Sequence, residues 1–293
     1  MLPTSAPVPT GEDWAIEVKW DGIRAQLRFD GHAVCLRSRT GRDCTTQFPE
    51  LSAIGERLPT PGVILDGELV CFGAEGKPDL PALRTRLVQR ERQATPEEHT
   101  SATLVVFDVL HLTGIAVRRL PYARRRELLA ELGLEGPAWR TPGHFVGEGE
   151  AVLADTAEQG LEGVVAKRLD APYAQGRRSR AWVAQEHRRR ERLVVTGWRE
   201  HPDELPELLL ARRRVDGGLR PAGTARLGLD PTRRALLLSA LEAHEVGPTR
   251  LRRHVRWAAP VIEVIVDLHG SPDGPVRDPV LREISLPAGD HVN

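Results

Sequence analysis

Glu17-Val18-Lys19-Trp20-Asp21-Gly22-Ile23-Arg24 is the stretch on which the reading of this chain turns. Trp14 to Arg28 reads as a strand, a turn at Asp21-Gly22 and a second strand. Lys19 falls at the end of the first strand. Lysine serves as a nucleophile when desolvation or nearby positive charge lowers its pKa; arginine stays protonated. Of the 41 Lys plus Arg, only Lys19, Lys77 and Lys167 are lysine. A chain that otherwise writes positive charge as arginine has a reason for lysine in this slot. Gly22 would let the backbone approach a phosphate closely, and Arg24 offers a planar fork to an anionic oxygen. The plain alternative is an edge strand with a solvated lysine and an ordinary turn.

Outward from that stretch, His32 to Arg37 reads as a strand closed by Thr40-Gly41-Arg42-Asp43. Ser38-Arg39-Thr40-Gly41 is a basic turn of the kind that grips a phosphate backbone. In Gly62 to Phe72, Asp66-Gly67-Glu68 puts two carboxylates at a strand bend, where Glu68 suits ribose hydroxyls or a metal unless the bend is simply an exposed turn. Leu104 to Leu110 is apolar except for Asp108, which predicts a buried strand ending at a site. Its Phe107 is either a base-stacking ring or a core aromatic. Tyr122 to Leu132, after Pro121, has helical spacing. Glu162-Gly163-Val164-Val165-Ala166-Lys167 sets a carboxylate and a second rare lysine at opposite ends of a short strand. Both suit a metal-bound phosphate.

The composition changes near Arg190. Leu193 to Thr196 reads as a strand. Leu208-Leu209-Leu210 and the stretch from Arg220 to Leu227 flank a hairpin turn at Asp216-Gly217-Gly218. Pro231 to His244 fits a helix, Val261 to Leu268 a strand and Pro272-Asp273-Gly274 a turn. Strands, one helix and more strands over about a hundred residues fit a five-stranded OB barrel. A linker is expected at Arg188 to Arg192, dividing the chain into residues 1–190 and 191–293.

The bulk properties narrow the classes. At 293 residues and zero formal net charge, two medium domains suit the length better than one. No run of 18 apolar residues predicts a membrane span, and Met1 to Thr10 lacks a signal-peptide pattern. Cys35, Cys44 and Cys71 are few and unclustered, so they read as reduced, packed thiols of a cytoplasmic protein. Neutrality argues against a globally basic nucleic-acid binder and leaves room for a local basic face. The runs Arg188 to Arg190, Arg212 to Arg214 and Arg252-Arg253 are either solvated faces or phosphate grips.

Taken in order, these strings resemble the covalent nucleotidyltransferase superfamily of DNA ligases, RNA ligases and mRNA capping enzymes. Lys19-Trp20-Asp21-Gly22-Ile23-Arg24 looks like its motif I, Ser38-Arg39-Thr40-Gly41 like motif Ia and Asp66-Gly67-Glu68 like motif III. Val106-Phe107-Asp108 is similar to motif IIIa, and Glu162 to Lys167 to motif IV. The branch most resembled is the small bacterial ATP-dependent DNA ligases of repair and end joining. The resemblance implies an α+β chain: an adenylation (nucleotidyltransferase, ATP-grasp-like) domain followed by the OB barrel. It implies that Lys19 attacks the α-phosphate of ATP to form lysyl-AMP, that AMP passes to a 5′-phosphate, and that a 3′-hydroxyl displaces it. It further implies Glu17 at adenine, Arg24 at the ribose or the nick phosphate, and Arg39 at the nick's 5′-phosphate. Glu68 would hold the ribose, Phe107 would stack on adenine, Lys167 would lie near the nucleotide phosphates, and Glu162 would position Mg²⁺ (or Mn²⁺). The partners implied are nicked or broken duplex DNA and end-joining proteins, with the enzyme itself a monomer.

Two departures stand out. The family's motif V has the pattern Trp-hydrophobic-Lys-x-Lys, whereas this chain has Trp182-Val183-Ala184-Gln185-Glu186. Both lysines are gone and one position is acidic. Motif VI is matched only by Val276-Arg277-Asp278-Pro279 and Leu281-Arg282-Glu283. Besides a ligase, the sequence therefore admits an RNA ligase or capping-type enzyme, and a non-catalytic DNA-binding paralogue.

Overall fold

The Lys19 stretch is where the chain changes sheets. In the computed structural model, which describes residues 1–88, 101–199, 207–226, 229–247, 255–269 and 276–287, the strand Gly11–Val18 belongs to a five-stranded sheet and the strand Ile23–Phe29 to a seven-stranded one. The two expected strands are present but do not pair with each other. Gly22 serves the crossing. A Cβ there would lie 2.3 Å from the Leu69 carbonyl oxygen and 2.7 Å from Glu68 Cγ, so only glycine lets the crossing lie against the Val63–Cys71 strand. The close approach this glycine makes within the chain is to its own neighbouring strand.

Contacts divide the chain into Met1–Glu186 and His187–Asn293. In the first unit the smaller sheet runs Leu2–Ser5, Arg178–Glu186, Gly163–Arg168, Gly11–Val18, Phe145–Gly147. The larger runs Val34–Ser38, Ile23–Phe29, Val63–Cys71, Ala102–Leu112, Trp139–Arg140, Glu135–Gly136, with Ile115–Ala116 folded back on Ala102–Leu112. One face of the larger sheet buries Ala25, Leu27, Leu36, Leu65 and Leu104 together with Leu51 and Ile54 of the 3₁₀ segment Pro49–Arg57. The alternation of apolar and polar residues along these strands sends the other side chains to the opposite face. Helix Gly149–Glu158 covers the smaller sheet through Val152, against Ile16, Val164 and Ala166.

Asp66-Gly67-Glu68 is not an exposed bend. It lies inside the continuous strand Val63–Cys71, with Asp66 fully buried. The register slips by one between Asp66 and Gly67 against Ala102–Leu112, and a Cβ on Gly67 would fall 2.7 Å from the Val105 carbonyl oxygen. The extra residue is Phe107 on the partner strand, so a bulge in Ala102–Leu112 sets Phe107 outside the regular pairing. Helix Tyr122–Glu131 begins after Pro121, as expected. It carries Arg125, which is fully buried. Arg125 Nε and Nη2 donate to the two Asp108 oxygens at 2.8 and 2.9 Å, and Nη1 donates to the carbonyls of Leu120 and Ala171. Such a fork satisfies a charge that would otherwise be costly to bury.

In the second unit, residues 188–192 are not a linker but the start of the strand Arg188–Arg199, paired with Glu263–His269. Glu207–Arg213 and Leu219–Arg226 form the expected hairpin, with Gly217 at φ 81° in its turn. Helix Pro231–Ala243 is capped by Asp230, which accepts from the Arg233 amide. The sheet has seven strands rather than five, because the short segments Glu245–Val246 and Arg256–Ala258 add to it. Pairings of two or three residues leave no periodicity to read in a sequence. Among the described residues no closed barrel is found. The strands Leu219–Arg226 and Arg277–Ser285 do not pair, and one bond from the Val276 amide to the Ala222 carbonyl is the backbone link near them. Arg252-Arg253, Pro272-Asp273-Gly274 and the end of the Arg220 to Leu227 stretch lie outside the described residues.

Candidate nucleotide site

The first unit's two sheets face each other across a narrow cleft of about 130 Å³, lined by Glu17, Lys19, Glu68, Phe107, Lys167 and Trp182 among others. The lysines stand at different places in it. Glu17 and Lys167 lie on adjacent antiparallel strands. Lys167 Nζ donates to Glu17 Oε2 at 2.6 Å, and the Tyr122 hydroxyl donates to Glu17 Oε1. Three rings surround the ammonium, with centroids 4.2 Å (Phe107), 4.6 Å (Trp182) and 5.1 Å (Tyr122) away. Burial lowers the Lys167 pKa despite the Glu17 carboxylate.

Lys19 is anchored by its amide on the Gly163 carbonyl at 2.9 Å. Its ammonium lies 2.6 Å from Glu162 Oε2 and 3.0 Å from Glu186 Oε1. Burial pulls its pKa down, but the two carboxylates outweigh burial and raise it. The depressed lysine pKa anticipated for the motif I position thus belongs instead to Lys167, because Lys19 meets two negative charges and Lys167 meets one inside an apolar cage. Glu186 comes from Arg178–Glu186, directly across from Gly163. Glu68 faces the same cleft, and burial pushes its carboxyl up to about 8 against the pull of Arg24 and Lys19.

Arg24 is already engaged. Its guanidinium forks onto Asp66 at 3.0 and 2.7 Å, and donates to the Tyr173 hydroxyl at 3.0 Å and to the Met1 carbonyl. It also stands 5.4 Å from the ring centroids of both Phe107 and Trp182. Those rings meet edge to face at 5.9 Å. Arg39 is exposed and lines a neighbouring groove with Arg24, outside the cleft itself. The structure thus brings Glu17, Lys19, Glu68, Phe107 and Lys167 together, with Glu162 against Lys19, and leaves Arg39 to one side. Sequence reasoning missed Tyr122, Tyr173 and Trp182 as site residues. Tyr122 opens a helix, and nothing local marks it; Trp182 was in view only as a motif V letter.

Residues 8–184 match the model of the ATP-dependent DNA ligase domain. The chain belongs to that family. This ligase-family chain is 37% identical over 186 residues to the multifunctional non-homologous end joining DNA repair protein LigD of Mycobacterium tuberculosis (strain H37Rv), covering 64% of the chain and 23% of that protein. It is 34% identical over 277 residues to a probable DNA ligase of Anaeromyxobacter dehalogenans, covering 88% of the chain and 51% of the relative. The chain therefore spans about a quarter of the LigD relative and half of the other. A mycobacterial DNA ligase D structure complexed with ATP and MES aligns over 98% of this ligase-family chain and 94% of its own, with 30% identity and a TM-score of 0.57.

Proposed function

We propose that this chain is an ATP-dependent DNA ligase that joins a 5′-phosphate to a 3′-hydroxyl in nicked or broken duplex DNA through lysyl-AMP, in repair and end joining. The observation that carries the reading is Lys19, one of three lysines in an arginine-writing chain, held at a cleft with the makings of a nucleoside site. In the first step Lys19 Nζ loses a proton and attacks the α-phosphate. An N–P bond forms, the bond to the β-phosphate oxygen breaks, and pyrophosphate leaves.

The neighbouring residues fit this division of labour. Glu17 accepts and Lys167 donates side by side, which suits the amino group and N1 of adenine. This moves Lys167 from the phosphates to the base. Phe107 and Trp182 flank the base plane, and Glu68 accepts from the ribose hydroxyls. The cleft is small for a nucleotide, so base entry requires Arg24 to part from the two rings. Arg24 then acts through Asp66 and Tyr173 as a wall of the site.

A divalent cation fits the donors present. Glu162 supplies a hard oxygen group beside Lys19, and Mg²⁺ is commonly held by one or two carboxylates plus substrate phosphates. Such an ion neutralises developing charge on the phosphates. The first unit, residues 1–190 in the sequence reading, is the adenylation domain on this view, and the rest is an OB-type module assigned by its five long strands and single helix.

One observation favours a slower or silenced relative: Glu186 occupies a position that is lysine in the family's motif V and pairs with the nucleophile. Labelling with α-labelled ATP and Mg²⁺, beside GTP and a Lys19→Ala variant, separates these readings. An ATP-specific adduct lost in the variant is expected. An adduct from GTP moves the assignment to a capping-type enzyme. No adduct from protein first stripped of bound AMP moves it to a non-catalytic binder.

A further inference from the structure

Three cations of the first unit are buried among the described residues: Arg125, Arg126 and Lys167. Arg125 pairs with Asp108, and Lys167 with Glu17. Arg126, 7% exposed, pairs with no carboxylate among the described residues. Its Nη2 donates to the Pro142 carbonyl at 2.5 Å, and its Nη1, shielded from solvent, meets no acceptor among them. Glu17 is already committed, since Lys167 and Tyr122 donate to its two oxygens. A buried charge without a counter-ion is costly, so an anion that reached Arg126 would be held strongly.

Arg126 lines a groove of about 610 Å³, separate from the cleft that holds Lys19. One wall is a face of helix Tyr122–Glu131, on which Ala123, Arg126 and Ala130 are three and four residues apart. Another is the segment Thr141–His144, between the strands Trp139–Arg140 and Phe145–Gly147. Thr141 brings a second orphan: its hydroxyl is shielded from solvent and has no hydrogen-bond partner among the described residues. Leu129, Leu134 and Leu169 add apolar lining. Two exposed acids, Glu127 and Glu135, also border the groove. Glu127 is held by Arg124 at 2.6 Å, and Glu135 accepts from the Thr141 amide at 3.2 Å. A concavity of this size, apolar with a few polar groups, has the make-up of a small-molecule site.

We infer that this groove binds a compact organic acid, with Arg126 and Thr141 on its carboxylate and the leucines on its apolar body. A single guanidinium matches one negative charge, and Glu127 and Glu135 oppose a dianion such as a phosphate monoester. To reach Nη1 the carboxylate displaces the Pro142 carbonyl, and the chain has room to yield: a Cβ built on the neighbouring Gly143 would meet nothing within 4 Å. The groove backs onto the cleft. His144 lines it and meets the Tyr122 ring edge to face, with centroids 6.4 Å apart. The inference stands whether or not the chain ligates DNA.

The test is a saturation-transfer NMR titration of the whole chain with benzoate, and with benzamide as the neutral isostere. Arg126→Met, Ala130→Trp and Arg57→Gln proteins are titrated beside the wild type, each checked by thermal melting. Benzoate is expected to bind the wild type and Arg57→Gln alike. Benzamide is expected to bind about tenfold more weakly, the difference made by one hydrogen-bonded charge. Arg126→Met is expected to weaken benzoate by the same factor while melting no lower than the wild type, because it removes an uncompensated buried charge. Ala130→Trp fills the groove from an exposed position on the helix and leaves Arg126 in place; it is expected to abolish binding of both probes. A wild type that does not bind benzoate overturns the inference, as does equal binding of benzamide. Benzoate affinity that survives Arg126→Met or Ala130→Trp overturns it too. Should Arg126→Met fail to fold, Ala130→Trp and the benzamide comparison decide.

Discussion

Lys19 and Lys167 share one cleft under opposite electrostatic conditions. Lys19 is one-fifth exposed and lies between two carboxylates. Lys167 is 2% exposed, with one carboxylate and three rings. The first is held charged by its neighbours. The second is pressed towards neutrality by burial and kept charged by Glu17. An amine poised to lose its proton needs an environment that can change, whereas an amine that reads a base needs one that cannot. On the proposed ligase reading, the difference between the two surroundings separates a reacting group from a recognising one, though both are lysine and both lie at the ends of short strands.

Removing the cation from the buried pair is expected to have the largest effect on stability. Lys167→Met leaves the Glu17 carboxylate buried with only Tyr122 as donor, and should cost about 3–5 kcal/mol in chemical unfolding of the first unit. Adding Glu17→Gln should return much of that loss. If the single variant is as stable as wild type, the cage is not an electrostatic unit and the contrast between the lysines fails.

Glu186→Gln sharpens the comparison from the other side. With one carboxylate removed, the Lys19 pKa falls toward its ordinary value. Each unit of fall gives about tenfold more free amine at neutral pH. Adduct formation at pH 7 should therefore rise severalfold, and the acid limb of the pH–rate profile should move to lower pH. An unmoved profile would show that Glu186 does not restrain the nucleophile.

The smallest effect concerns Glu68. Its folded pKa, about 8, lies above the ordinary carboxylate value. The stability linked to its proton is present in full below the unfolded pKa and is lost as pH rises through about 8. Glu68→Gln should match wild type in melting temperature near pH 4 and exceed it progressively toward pH 8. Parallel melting curves across that range would place the carboxyl in a wetter setting than the cleft suggests.

The sequence was most legible where the chemistry is local. Lys19, the Tyr122 helix after Pro121, the Asp216 hairpin and the apolar run from Leu104 all declare themselves through residues close in the chain. It was least legible where meaning depends on distant partners. Asp66-Gly67-Glu68 has the composition of a turn, and only pairing with its neighbours on both sides makes it the middle of a strand. Arg24 looks like a free anion-binding fork until Asp66 and Tyr173, 42 and 149 residues away, take its donors. The run Arg188 to Arg190 resembles a basic linker, yet pairing with Glu263–His269 makes it a strand, with Arg188 on His269 and Arg190 on Asp267. Loss of the motif V lysines was visible as letters; that the replacing glutamate would touch Lys19 was not.

The parallel pairing of Leu2–Ser5 with Arg178–Glu186 gives the first unit a particular order of assembly. During synthesis, the earliest strand has to wait about 175 residues for its partner, or roughly 10–35 s at ordinary elongation rates. The larger sheet can close around its own hydrophobic residues in that interval, since its strands lie between residues 23 and 140. The smaller sheet cannot, and the strand that completes it is the one carrying Trp182 and Glu186. Until that strand leaves the ribosome, the nascent chain holds Lys19 beside an open sheet edge, an arrangement that invites pairing with other chains and that, on the proposed reading, delays any nucleotide chemistry to the end of translation of the unit.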